Sequence, residues 1–355
     1  MGQAPHPTWQ SIANKKPQFG VSPIFSHSVS DPPQVSVIMS VFNGGRYLRE
    51  ALESILTQDG VTLELIVVND GSTDESAAIL AEYALQDKRI RVVDQPNSGL
   101  TAALILGCSH AQGEFIARQD ADDLSMPGRL RHQVCALDAD ASLVFVSSAA
   151  QGVGPNGEAM EIVNRPVDPV VATHQLLYEK TGPPAHGSVM MRRSSYGAVG
   201  GYRPEFYFAQ DSDLWLRLGR LGKLMYLSDV LYSWRVSPGG ISTVQHGFQW
   251  QFGDLGQACH AAILRGESEA AFLAEAAALT ARIRIQKCGN EPAPGGPQAW
   301  GLYRIGTTLA RQGDKRARSY FWQTICAQPL HARAWIRLLL SFLPMAARSS
   351  GDHDG

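Results

Sequence analysis

The stretch Gly113-Glu114-Phe115-Ile116-Ala117-Arg118-Gln119-Asp120-Ala121-Asp122-Asp123 decides how this chain is read. Its first half is an apolar run of strand length, and three carboxylates stand at the carboxyl end of that run. Neighbouring carboxylates repel one another and resist desolvation. Gathering them where a buried strand stops is therefore favourable chiefly when a hard cation or a positively charged ligand neutralises them. The same residues would also suit an acidic loop capping a helix that starts near Pro127, since Asp and Ser favour N-cap positions and Pro the first turn.

Working outward, residues 35–43 read as a strand and 46–58 as a helix with Leu48, Ala51, Leu52, Ile55 and Leu56 on one face. Residues 64–70 form a second buried strand, ending in the turn Asp70-Gly71-Ser72-Thr73-Asp74, which offers N-caps to the next helix. A short third strand at 90–93 precedes Gln95-Pro96-Asn97-Ser98-Gly99, and 100–111 is helical in pattern. Strands alternating with helices imply a parallel sheet, and polar residues gathered beyond strand carboxyl ends imply a ligand crevice there.

These motifs, in this order, resemble family 2 inverting glycosyltransferases of the GT-A fold. The resemblance runs over 35–242 and rests on Val37-Ile38-Met39-Ser40-Val41-Phe42-Asn43, on Val67-Val68-Asn69-Asp70-Gly71-Ser72-Thr73-Asp74, on Asn97-Ser98-Gly99, on Asp120-Ala121-Asp122-Asp123 and on Gln210-Asp211-Ser212-Asp213-Leu214-Trp215-Leu216-Arg217. It implies an α/β, Rossmann-like nucleotide-diphospho-sugar transferase fold with a mainly parallel central sheet, followed here by an α-helical extension. It further implies a metal-dependent transfer of a sugar from a nucleoside diphosphate, with UDP expected, to a hydroxyl of a glycan or glycolipid in cell-envelope polysaccharide synthesis.

Residue by residue, the resemblance assigns Asp70 to the nucleobase, with Ser40, Val41, Asn43 and Asn97 lining the same pocket, and Asp120 to the ribose. It assigns Asp122 to a Mn²⁺ or Mg²⁺ ion on the diphosphate, and Asp211 to the role of general base. Asp123 is left between assisting that site and capping the Pro127 helix, and Asp213 is expected to partner a helix N-terminus. His186 is either a donor or acceptor contact or, as a lone His before a strand more often is, a hydrogen-bonded structural residue. The pattern departs at Ser237, where many relatives carry a His two residues beyond the Arg that Arg235 matches. Arg235 itself suits either a phosphate contact or a salt bridge.

Two features invite other readings. Gly152-Val153-Gly154-Pro155-Asn156-Gly157 satisfies the dinucleotide fingerprint, but Pro155-Asn156-Gly157 is a tight-turn signal and 158–163 reads as a returning strand, so a hairpin is expected. The helical tail supports a rival function, that of a catalytically weak scaffold subunit recruiting a protein partner.

Organisation follows composition. Residues 1–34, rich in Pro, Ser and Gln, read as a loosely ordered lead-in without the apolar stretch of a signal peptide. A catalytic domain at 35–245 precedes a helical segment at 246–288, a breaker-rich linker at 289–297 and a helical extension at 298–347 resembling one tetratricopeptide-type helix pair. The apolar run at 335–346 is shorter than the roughly 20 residues of a membrane span, and reads as a packed helix or an interfacial anchor with Arg333, Arg337 and Arg348 near headgroups. The expected location is cytoplasmic, with peripheral association at the inner face of a membrane left open.

The formal charge of −2 over 355 residues argues against a dominant electrostatic role in nucleic-acid binding. Five scattered cysteines suggest neither a disulfide framework nor a zinc site, and buried thiols in a reducing compartment are expected.

Overall fold

Strands buried on both faces read as nearly continuous apolar runs, and the core is built from such runs. In the computed structural model, which describes residues 32–238, 240, 246–287 and 296–342, β1 (Val35–Val41), β2 (Leu63–Asn69), β3 (Ile90–Asp94) and β4 (Phe115–Asp120) lie parallel in the order β3-β2-β1-β4. Helices α1 (Gly45–Leu56), α2 (Ser76–Gln86) and α3 (Leu100–Ser109) connect them. On α1 the buried residues include Leu48, Ala51, Leu52 and Ile55, as the helical spacing predicts. All elements described below belong to the unit Pro33–Gly355.

Beyond β4 the sheet becomes mixed. After the two-residue β5 (Leu124–Ser125) and α4 (Arg129–Ala139) come β6 (Leu143–Val153), β7 (Ala159–Val163), α5 (Pro169–Tyr178), β8 (Met190–Arg192), α6 (Arg193–Ala198), α7 (Gln210–Leu221) and β9 (Lys223–Arg235). The order continues β4-β8-β6-β9-β5, with β8 antiparallel to both its neighbours, β9 parallel to β6, and β7 antiparallel to β6. One core layer gathers Val37, Met39, Leu52, Leu65 and Leu137, and the other Ile38, Ile66, Leu104, Phe145 and Leu214, so strand alternation feeds both faces.

Among the described residues after β9 the regular elements are helices. α8 (His246–Leu264) and α9 (Ala270–Lys287) enclose an aromatic cluster of Phe206, Phe208 and Phe252. α10 (Gly296–Arg311) and α11 (Ala317–Ala327) pack Ile305, Leu309 and Phe321 with Met160 of β7, and α12 (Ala332–Leu340) follows. The 1–34 lead-in, Cys288, the 289–297 linker, residues 343–347 and Arg348 fall outside the described residues, apart from 32–34 and the helical backbone of 296 and 297.

Several expectations need correction. The helix predicted from Pro127 starts at Arg129, with Gly128 as its N-cap in the left-handed region (φ 76°) and no side-chain cap, so Asp123 caps nothing there. His186 does precede a strand, the short β8, but through an intervening 3-10 turn, His186–Ser188. Cys108 and Cys259 are buried as expected, but Cys135 and Cys326 are exposed. The hairpin is present: Gly157 holds φ 79° between β6 and β7, where glycine carries no steric cost.

Candidate active site

Register sets the site's first layer. Ser40 pairs across β1–β2 with Val68 and across β1–β4 with Asp120, so the carboxyl ends of β1, β2 and β4 finish at one level. The Asp70 amide donates to the Val41 carbonyl at 2.8 Å, closing the β1–β2 edge.

The three carboxylates of the acidic turn have different surroundings. Asp120 Oδ1 accepts a 2.6 Å hydrogen bond from the buried Arg118 guanidinium. Asp123 is 5% exposed, and its carboxylate accepts from the Tyr232 hydroxyl at 2.8 Å and the Arg235 amide at 2.7 Å. Burial, then the charges of Asp122 and Asp120, push its carboxyl well above the usual range. Asp122 is pushed up to about 6, first by burial and then by Asp120. Among the described residues no hydrogen bond from another residue reaches the Asp122 carboxylate, while its carbonyl accepts from Arg235 Nε at 3.0 Å. Asp123 thus anchors the turn to β9, and Asp122 is left with both carboxylate oxygens available.

Two arginines missed in the sequence stand behind this turn. Arg118 also donates to the carbonyls of Ile38 and Gln119. Arg129, fully buried, donates to Ser125 Oγ (2.7 Å), Gln119 Oε1 (3.1 Å) and the Arg118 carbonyl (2.9 Å), and lies over the Tyr232 ring. For Arg118 the signal was available, since a cation inside a strand buried on both faces requires nearby acceptors; Arg129, at the start of α4, carried none.

On the β1–β3 side, the loops after β1, β2 and β3 are bound into one layer. Asp70, 3% exposed, accepts from Gln95 Nε2 (2.6 Å) and from the amides of Ser98 (2.8 Å) and Gly99 (2.9 Å), so its carboxylate organises the Asn97 loop. Asn43, at φ 52°, accepts from the Thr73 amide at 2.8 Å. A Cβ on Gly71 would come within 2.7 Å of the Asn97 amide nitrogen, which explains the glycine in that turn. Asp74 accepts from Gly45 and Ser76, each at 3.0 Å, serving the first turns of α1 and α2 together. The fold therefore gathers Ser40, Asn43, Asp70, Asn97 and Asp120 along one edge, whereas the Val41 side chain is 1% exposed and belongs to the core.

Opposite them, α7 begins after Ala209, held at φ 52°, and places Asp211 in its first turn. Asp211 accepts from the Ser212 amide at 2.8 Å, and its carboxyl is raised chiefly by burial, with the charge of Asp120 also contributing. Asp213 is buried and paired with Arg217 at 2.6 Å and Arg203 at 3.4 Å, a structural knot extended by Arg203 to Glu269. Between the two aspartate sites runs the His186–Ser188 turn. A Cβ on Gly187 would collide with the Tyr232 hydroxyl and approach Asp120 Oδ2 to 3.1 Å. His186 Nε2 shares a 2.7 Å hydrogen bond with the Tyr202 hydroxyl, and burial and then the Arg118 charge hold the imidazole well below its ordinary pKa. Arg235 pairs with Glu50 at 3.0 Å and lies 3.9 Å over the Tyr47 ring.

The model of glycosyl transferase family 2 matches residues 36–200. EpsE of Bacillus subtilis (strain 168), named as a glycosyltransferase, is 38% identical over 208 residues, which are 57% of this chain and 73% of EpsE. The chain belongs to glycosyl transferase family 2. Hyaluronan synthase of Pasteurella multocida is 27% identical over 59% of this chain, and the match spans only 21% of that longer protein.

Two solved structures show that the fold of this family 2 glycosyltransferase is of GT-A type. S. aureus TarS 1-349 in complex with UDP superposes with a TM-score of 0.52 at 19% identity, covering 87% of this chain and 89% of that one. The mannosyltransferase PcManGT from Pyrobaculum calidifontis, in complex with GDP-Man and Mn2+, gives 0.50 at 21% identity, covering 88% and 89%.

For a divalent ion, the family 2 site offers hard oxygen donors in Asp122 and in the second oxygen of Asp120. Such donors fit Mg²⁺ or Mn²⁺ when phosphate and water complete the shell. Among the described residues no three His, Cys, Asp or Glu side chains form a self-sufficient cage.

Proposed function

We propose that this glycosyltransferase is a metal-dependent, inverting enzyme that moves a sugar from a nucleoside diphosphate, with UDP as the nucleotide, to a hydroxyl of a glycan or glycolipid. Its catalytic unit is 35–245. The observation that carries this reading is the unequal use of the acidic turn. Asp123 is consumed by structure and Asp120 is half-held by Arg118, so Asp122 is the carboxylate left to a ligand.

In this scheme Asp70, Ser40, Asn43 and Asn97 form the nucleobase side, with Val41 contributing its backbone, and Asp120 meets the ribose. Asp122 holds the ion, which supplies Lewis-acid neutralisation of the leaving diphosphate. Asp211 takes the proton from the acceptor hydroxyl as that oxygen attacks the anomeric carbon, and a single displacement inverts its configuration. A carboxylate whose pKa is raised by burial is a better base, which suits Asp211 to the task. The neutral His186 and Tyr202 line the floor between base and donor. The UDP of TarS and the GDP-Man and Mn2+ of PcManGT support a nucleotide-sugar donor and a metal by analogy of fold alone. The name of the hyaluronan synthase relative supports a glycan acceptor in the same limited way.

The test is Asp211→Asn, assayed for sugar transfer and, separately, for nucleotide binding. Loss of a general base should cost about 10²- to 10⁴-fold in turnover while binding stays within about twofold. Unchanged transfer would remove Asp211 from the mechanism, and retention at the anomeric carbon of the product would rule out the single displacement.

A further inference from the structure

An amphipathic helix at a protein surface ordinarily turns its apolar stripe inward, and α12 does the reverse. It packs through Ala334, which is fully buried, and through Leu338. Trp335, Ile336, Leu339 and Leu340 share the outward stripe and are 42, 56, 66 and 40% exposed. Trp322 of α11, also exposed, meets Trp335 edge-on with ring centroids 6.4 Å apart. Single exposed apolar residues are ordinary, but a contiguous patch marks a surface that something covers.

Charge narrows what that something is. Arg316 is neutralised by Asp314 at 2.6 Å and Arg318 is turned to the Ser341 carbonyl, but α12 itself carries Arg333 and Arg337 and no Asp or Glu, in a chain whose overall balance is −2. Arg333 and Arg337, one turn apart, form the row beside Ile336 and Leu340 on the helix surface. A second copy of the chain would set these cations against their own equivalents. An anionic lipid surface accepts both features. Tryptophans favour the headgroup boundary, arginines reach headgroups from an apolar stripe, and each cation adds attraction to a negatively charged leaflet. Among the described residues no helix is long and apolar enough to cross a membrane, so such a helix would lie in the plane of the interface.

We propose that the outward stripe of α12, together with Trp322 and the Arg333–Arg337 row, is a docking surface for an anionic lipid bilayer. Contact is reversible, because a stripe of this size is a weak anchor by itself. The surface is independent of the donor chemistry proposed above and would bind whether or not that chemistry is right.

The experiment is co-sedimentation of the full chain with phosphatidylcholine vesicles, with and without phosphatidylglycerol, read also by tryptophan emission. Partitioning onto the anionic vesicles should be at least about tenfold stronger, weaken at high salt, and shift emission to the blue. The double variant Ile336→Ser/Leu339→Ser should lose binding with its circular dichroism unchanged, and Arg333→Glu should lose only the preference for anionic lipid. Equal binding to both vesicle types, binding to neither, or undiminished binding by the stripe variant would overturn the proposal. Self-association abolished by the stripe variant, without vesicle binding, would reassign the face to a second copy and overturn it equally.

Discussion

The guanidinium of Arg118, 1% exposed, lies 2.6 Å from Oδ1 of Asp120 and fixes the first carboxylate of the acidic turn from inside the sheet. Because it also reaches the Ile38 carbonyl on β1, one side chain links the neighbouring strand to the aim of Asp120.

Arg118→Met should therefore damage folding and donor binding together. Removing one partner of a fully buried pair costs about 3–5 kcal/mol, and the partial exposure of Asp120 reduces this to roughly 2. Urea unfolding measures the loss. Arg118→Lys should recover little of it, since an ammonium cannot serve three acceptors in the guanidinium's geometry.

Asp122 and Asp123 are adjacent but should respond oppositely. Asp123→Ala leaves the buried Tyr232 hydroxyl and Arg235 amide without their acceptor, at a cost of about 2 kcal/mol. Asp122→Ala should leave stability unchanged or slightly raised, because it removes a crowded charge, while abolishing metal-dependent nucleotide binding. Thermal melts beside nucleotide titrations separate the two effects.

The Asp122 carboxyl also predicts a pH dependence. Its folded value of about 6 lies above the ordinary 3.8, so between those values the folded chain holds more protons than the unfolded one. Stability from this group is therefore greatest at the acid end and falls as pH rises through that window. Comparing urea midpoints at about pH 4.5 and about pH 7, Asp122→Asn should show a shallower decline than the parent protein. Metal-dependent nucleotide binding should weaken below about pH 6, where proton and metal compete for the same oxygens.

The tail is fastened to the β6–β7 hairpin by Glu158, 1% exposed, which accepts from the Tyr320 hydroxyl at 2.7 Å and from the Asn156 amide at 2.9 Å. Tyr320→Phe deletes one donor and should cost about 1 kcal/mol. Glu158→Ala should cost more, because it strands both donors. Differential scanning calorimetry distinguishes them.

Much of the β1–β4 half was legible in the chain because its signals are local. Apolar runs gave β1, β2 and β4, polar residues followed each run, and Pro155-Asn156-Gly157 gave the hairpin. What could not be read was the division of labour among adjacent carboxylates, since it depends on contacts made far along the sequence. Asp123 is claimed by Tyr232 and Arg235, more than a hundred residues away. Asp70 showed the same limit, because its strand end was legible but its bonds to Gln95, Ser98 and Gly99 were not. Arg118, a cation inside an apolar strand, carried a signal, but its acceptors and those of Arg129, which opens α4, lie partly on other elements that the sequence does not bring together.

The most direct test of the central claim is calorimetric titration of the full chain with UDP and with GDP, each with and without Mn²⁺, repeated on Asp122→Ala. The account predicts Mn²⁺-dependent binding of UDP that disappears in the variant while the variant remains folded. Binding that ignores Mn²⁺, or that survives in Asp122→Ala, would contradict it.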